Sequence, residues 1–79
     1  MKLPSDGNGT SLVQRFNKLG YTITRQTGSH IRLTTQENGE QHITIPAHHT
    51  IKVGTLNAIL SDVAMHFEIT KEELIKKLW

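Results

Sequence analysis

Three short runs in which apolar and polar residues alternate follow one another in this chain, separated by turn-forming residues, and that pattern leaves little choice of fold. The runs are Tyr21-Thr22-Ile23-Thr24-Arg25-Gln26, His30-Ile31-Arg32-Leu33-Thr34-Thr35 and Gln41-His42-Ile43-Thr44-Ile45. Successive side chains of a strand point to opposite faces, so the first run predicts Tyr21 and Ile23 inside and Thr22, Thr24 and Gln26 outside. In the same way Ile31, Leu33, Ile43 and Ile45 fall inside, while His30, Arg32, Thr34, His42 and Thr44 share the outer face. Asn38-Gly39 lies between the second and third runs. That dipeptide signals a hairpin, because a type I′ turn needs positive φ at both central residues. Gly28-Ser29 turns the first run into the second and presents His30 where a strand begins. The product is a small antiparallel meander with one greasy and one wet face.

Helical patterns flank the meander. Ser11-x-x-Gln14 has the form of a capping box and predicts a helix start near Ser11, with Leu12, Val13, Phe16 and Leu19 at helical spacing and Gly20 as a left-handed cap. Ahead of it, residues 1–10 carry Pro, Gly, Asn and Asp and read as a flexible lead-in. Pro46 cannot extend a ladder, so the third strand stops there. A second helix begins around Val53 to Thr55 with Leu56, Ile59, Leu60 and Val63 as its inner stripe. Thr70-x-x-Glu73 is a further capping box, opening a short helix with Leu74, Ile75 and Leu78 before Trp79. That last helix either docks on this core or offers a surface to another chain. The expected architecture is α+β: a two-layer α-β-β-β-α sandwich in the order of the double-stranded-RNA-binding fold, with a short extra C-terminal helix.

With 79 residues the chain makes one domain, and nearly every large apolar side chain is needed for one core, Ile23 and Val53 among them. The absence of cysteine removes disulfides, zinc-thiolate sites and thiol nucleophiles. No apolar run approaches the ~20 residues that span a bilayer, and the polar start lacks a signal-peptide core, so a soluble, cytoplasmic protein is expected. Net charge is only +2. Its distribution says more: Arg15, Lys18, Arg25, Arg32 and Lys52 lie in or beside the first four elements, where the acids are Glu37 and Glu40 at a hairpin tip. Such a basic half can meet phosphates; an ordinary solvated surface is the alternative.

His30 is the leading chemical candidate, since an imidazole with an unperturbed pKa near ~6.5 both accepts and donates protons at neutral pH without a metal. Arg32, two residues along the same face, can pair with a phosphate and stabilise developing negative charge. Lys52 and the amides of Gly54 and Thr55 at a helix start can hold a neighbouring phosphate. His42, His48 and His49 invite a metal site, but no cysteine or acidic partner accompanies them and adjacent rings diverge. Phe67 and Trp79 could stack on bases, and packing of the tail is the simpler account.

Several of these segments, taken in order, resemble the HicA (YcfA-like) toxins from about Ser11 to Ile69: Gly20-Tyr21, Arg25-Gln26-Thr27-Gly28-Ser29-His30, Ile45-Pro46-Ala47-His48 and Gly54-Thr55-Leu56-Asn57-Ala58-Ile59-Leu60. The resemblance implies the toxin of a type II toxin-antitoxin system. Its activity would be that of a metal-independent endoribonuclease that cuts mRNA without a cofactor and is held in check by a cognate HicB-type antitoxin. It implies that His30 is the catalytic residue and that Gly28 and Ser29 form the turn presenting it, joining Arg32 and Lys52 as the expected RNA and phosphate contacts. His48 matches a histidine often found after the family's proline and is not read as catalytic. Many members carry a second histidine directly after the first; here Ile31 stands there, at an inward position. The protein would be a monomer alone or a hetero-oligomer with the antitoxin. Two other readings stay open: a non-catalytic RNA-binding module of the same fold, and a protein-interaction domain that docks through its C-terminal helix.

Overall fold

The computed structural model describes residues 9–47 and 51–79. Its elements are α1 (Gly9–Asn17), β1 (Thr22–Thr27), β2 (His30–Thr35), β3 (Gln41–Pro46), α2 (Val53–Phe67) and α3 (Lys71–Leu78). The strands form one antiparallel sheet in the order β1-β2-β3. Helices cover its apolar face, giving the α+β layout of the double-stranded-RNA-binding fold with one added helix. Leu33, Ile45, Phe16, Tyr21, Leu60 and Val63 are completely buried between the layers.

The first helix starts earlier than its sequence signal. It runs back to Gly9, so Ser11 lies inside the helix and does not cap it, and the expected lead-in is already helical at its last two residues. The rest of that lead-in lies outside the described residues. The C-terminal end behaves as read: Gly20 has φ +84°, its amide donates to the Asn17 carbonyl at 3.1 Å, and the Tyr21 amide donates to Phe16 at 3.3 Å. This pair of bonds is a Schellman cap, and the apolar contact that accompanies such caps is the edge-to-face pair of Phe16 and Tyr21, with centroids 5.5 Å apart. A Cβ on Gly20 would stand 2.7 Å from Glu37 Cγ, so the β2-β3 loop closes over this turn.

That loop is longer than a two-residue hairpin. Thr35 pairs with Gln41, leaving five residues between, although Asn38 and Gly39 do take the positive φ values their dipeptide requires, +57° and +97°. The tip is anchored to the end of α2, where Asn38 Nδ2 donates to the His66 carbonyl at 2.8 Å and His66 Nε2 donates to the Glu37 carbonyl at 2.9 Å. Anchoring replaces the tight turn.

Two expected core residues are exposed. Ile23 keeps its inward register opposite Leu33, yet it sits on an edge strand that is exposed along its whole length, and half of its surface meets solvent. Val53 occupies the first position of α2, one turn before the packed stripe begins at Leu56, and is 63% exposed. Their places in the core are taken by Ile51, Ala64, Leu74 and Leu78. The last two belong to α3, whose apolar face packs inside this domain. Thr70 and Glu73 form the expected capping box at its start. At its end the Leu78 carbonyl accepts from Arg15 Nη1 at 3.0 Å and Lys18 Nζ at 3.3 Å, and the Arg15 guanidinium lies 4.6 Å over the Trp79 ring. Trp79 and Phe67 are thus packing residues, Phe67 meeting Tyr21 and His66 edge-on.

Candidate active site

The open face of the sheet is built from three cross-strand rows, and a bulge decides what stands in them. Ile23 pairs with Leu33, but the next pair is Arg25 with Arg32, leaving Thr24 as an extra residue in β1. An extra residue reverses the faces beyond it. Gln26, expected outside, is paired with inward-pointing Ile31, while Arg25 and Thr27 swing to the polar face. The central row is therefore Arg25-Arg32-Thr44, flanked on one side by Thr27-His30-Pro46 and on the other by Thr34-His42.

One shallow concavity on this face is lined by Arg25, Thr27, His30, Arg32, His42 and Thr44. His30 is exposed at the first position of β2, immediately after the two-residue Gly28-Ser29 turn, in which Gly28 has φ +21°. Ser29 Oγ lies 3.1 Å from His30 Nδ1, and the Ser29 carbonyl accepts from the Ala47 amide at 2.8 Å, which ties the turn to the end of β3. Among the described residues the ring's other nitrogen has no hydrogen-bond partner. Arg25 and Arg32 face each other directly, and neither guanidinium has a hydrogen bond or ion pair among the described residues. Like charges placed opposite one another repel, so the row favours an anion between them.

A hydroxyl chain runs along the far side. Thr24 Oγ1 and Thr34 Oγ1 are 2.8 Å apart, Thr34 Oγ1 and His42 Nδ1 2.7 Å, and Glu40 Oε2 lies 3.9 Å from His42 Nε2. Thr34, expected at the surface, is on the outer face but buried at 7% exposure by these neighbours. Glu40 is an acidic companion to His42 that the reading of its sequence neighbourhood missed; His48 and His49 lie outside the described residues.

His30 and Arg32 are thus brought together, with Ser29 and Gly28 shaping the turn beside them. Lys52 is not: it is the exposed cap residue before α2, its carbonyl accepting from the Leu56 amide at 2.9 Å, and it does not line the concavity. Arg15 and Lys18 are committed to the end of α3. Arg25, Thr27, His42 and Thr44 join the site unannounced. Alternation already placed His42 and Thr44 on the right face, whereas the bulge that recruits Arg25 and Thr27 carries no glycine or other marker.

Ile31 is buried at 6% exposure, as an inward position requires. Element order and sheet topology make the chain a small α+β protein laid out like the double-stranded-RNA-binding fold. A family model described as the HicA toxin of bacterial toxin-antitoxin matches residues 9–65, covering α1, the whole sheet and nearly all of α2. The chain belongs to the HicA toxin family. Helix α3 lies beyond the matched span. Neither a curated protein nor a solved structure gives a significant match. No helix among the described residues is long and apolar enough to cross a membrane.

Proposed function

We propose that the protein is an endoribonuclease that cleaves mRNA by proton transfer at His30, with the scissile phosphate held by Arg32 and Arg25. The observation that carries the reading is one open concavity shared by an exposed imidazole and two guanidiniums that lack an acidic partner among the described residues. Attack of a ribose 2′-oxygen on its own phosphate needs a proton moved and negative charge stabilised, and these groups do both without a metal. Gly28 and Ser29 hold the ring in place, while Lys52 meets RNA only where the strand runs past the start of α2. Membership of a toxin family supports the further reading that a cognate HicB-type antitoxin silences the enzyme in the cytoplasm by covering this face.

The test is His30→Ala. One positioned acid-base group is worth roughly 10²- to 10⁴-fold, so cleavage of a transcript falls at least ~100-fold while the circular-dichroism spectrum and RNA affinity persist. A variant that cuts at the parent rate overturns the assignment, and a parent that binds RNA without cutting it identifies a non-catalytic RNA-binding module.

A further inference from the structure

We infer that His42 is a second proton-transfer group of the ribonuclease reaction proposed above, on which this inference rests, and that it works from the opposite side of the phosphate to His30. The sheet register supplies the first argument. His30 and His42 stand in the two rows that flank Arg25-Arg32-Thr44. Same-face positions along a strand are spaced by about 7 Å, so a phosphate seated on the guanidinium row has an imidazole within side-chain reach on either side. In-line displacement needs that arrangement, because the attacking and leaving oxygens lie on opposite sides of phosphorus.

The hydroxyl chain supplies the second. Thr24 Oγ1 donates to the Arg32 carbonyl at 3.5 Å, and a carbonyl can only accept. Thr24 Oγ1 and Thr34 Oγ1 lie 2.8 Å apart, and Thr34 Oγ1 and His42 Nδ1 2.7 Å. With Thr24 donating to the carbonyl, the chain runs with Thr34 donating to Thr24 and His42 Nδ1 donating to Thr34. In that arrangement Nε2 of the neutral ring is a bare lone pair, the form a base needs. Glu40 Oε2 lies 3.9 Å from that nitrogen, on the same rim of the face. His42 is the base, which leaves His30 as the acid.

The step balances with groups already present. His42 Nε2 takes the 2′-hydroxyl proton, the 2′-oxygen bonds to phosphorus, the bond from phosphorus to the 5′-oxygen breaks, and the His30 imidazolium protonates that leaving oxygen. The products are a 2′,3′-cyclic phosphate and a 5′-hydroxyl. Exchange with solvent restores both rings, and no co-reactant is consumed.

The charged groups facing His42 are Glu40 beside it, Arg32 on β2 and Arg25 on β1, with His30 at the far end of the concavity. The experiment measures cleavage of a short mixed-sequence single-stranded RNA across about pH 5 to 9 for the parent, His42→Ala, His42→Gln and His30→Ala. Glutamine can keep the hydrogen bond to Thr34, so at least one His42 variant retains the local fold. Both His42 variants are expected to lose at least ~100-fold in rate and to lose the acidic limb of the profile, with binding of an uncleavable 2′-deoxy strand held within about twofold. Cleavage within about threefold of the parent, or a slowed rate that keeps both limbs, overturns the role of His42. If His30→Ala is inert while the His42 variants cut normally, only the second histidine falls; if His30→Ala itself cuts normally, the role of His30 falls, and a parent that leaves the RNA intact overturns the ribonuclease reading.

Discussion

Tyr21 offers a direct measurement of how the core is held. It is the only tyrosine in the chain, fully buried beneath Phe16 and Phe67, with its hydroxyl donating to Gln41 Oε1. Burial penalises the phenolate and pushes the pKa up from 10.0 to about 12. The folded protein thus keeps a proton that the unfolded chain releases, so the stabilisation is complete below pH 10 and drains away as pH climbs toward 12. Integrating the two titrations gives a loss of about 1 kcal/mol by pH ~11 and about 2 kcal/mol by pH ~12. Urea unfolding of the parent and of Tyr21→Phe isolates this from lysine titration, which both proteins share. At neutral pH the phenylalanine variant is weaker by about 0.5–1.5 kcal/mol for the lost hydrogen bond, and the gap closes and then reverses with rising pH. Phenolate absorbance of the folded parent reads the same group independently. A stability gap that stays constant up to pH ~11, or a phenol that ionises at its ordinary value in folded protein, refutes the argument.

Other expectations follow from packing and charge. Leu74→Ala removes a side chain with 0% exposure and should cost about 2–5 kcal/mol, lowering Tm by at least ~10 °C in calorimetry; a negligible shift would detach α3 from the core. Glu68 ends α2 at φ +57° and ψ +41°, a conformation that charges a non-glycine residue about 1 kcal/mol, so Glu68→Gly should raise the urea midpoint by about 0.5–1 kcal/mol equivalent and a fall would contradict this. If two guanidiniums meet phosphates, the log-log dependence of single-stranded RNA affinity on salt has a slope near −1.4, and Arg25→Ala flattens it by about 0.7 in anisotropy titrations. An unchanged slope removes Arg25 from the interface.

What the sequence makes legible is whatever depends on short-range period and local chemistry. β2 runs over the same six residues as its alternating pattern, the start of α2 falls at Val53, and the Thr70-Glu73 capping box appears as written. Gly20 takes its left-handed cap, and His30 stands exposed beside Arg32. The failures have a common cause: they are decided by partners distant in sequence. Ile23 satisfies the alternation rule and still meets solvent, because cover over a strand edge depends on where the helices lie. The β2-β3 loop outgrows a two-residue turn because α2 supplies anchors for Glu37 and Asn38. Thr24 bulges where no glycine advertises it, and beyond that residue the side chains of β1 exchange faces. Two residues that line the concavity, Arg25 and Thr27, depend on this one irregularity.

The same long-range partnership explains why a chain of such modest net charge carries so local a cationic site. Arg15 and Lys18 are drawn to the Leu78 carbonyl, where they satisfy a helix C-terminus and oppose the negative end of its dipole. Docking of α3 thereby withdraws two of the cations counted in the basic half of the chain, and Lys52 stands apart from the concavity. Arg25 and Arg32 remain, set opposite each other by the bulge at a cost of roughly 0.2–1 kcal/mol in repulsion. Straight pairing would remove that cost by turning Arg25 to the other face. A strand that bends to bring two like charges together, beside an imidazole and with no ion pair to a carboxylate among the described residues, presents the charge that an anion would offset.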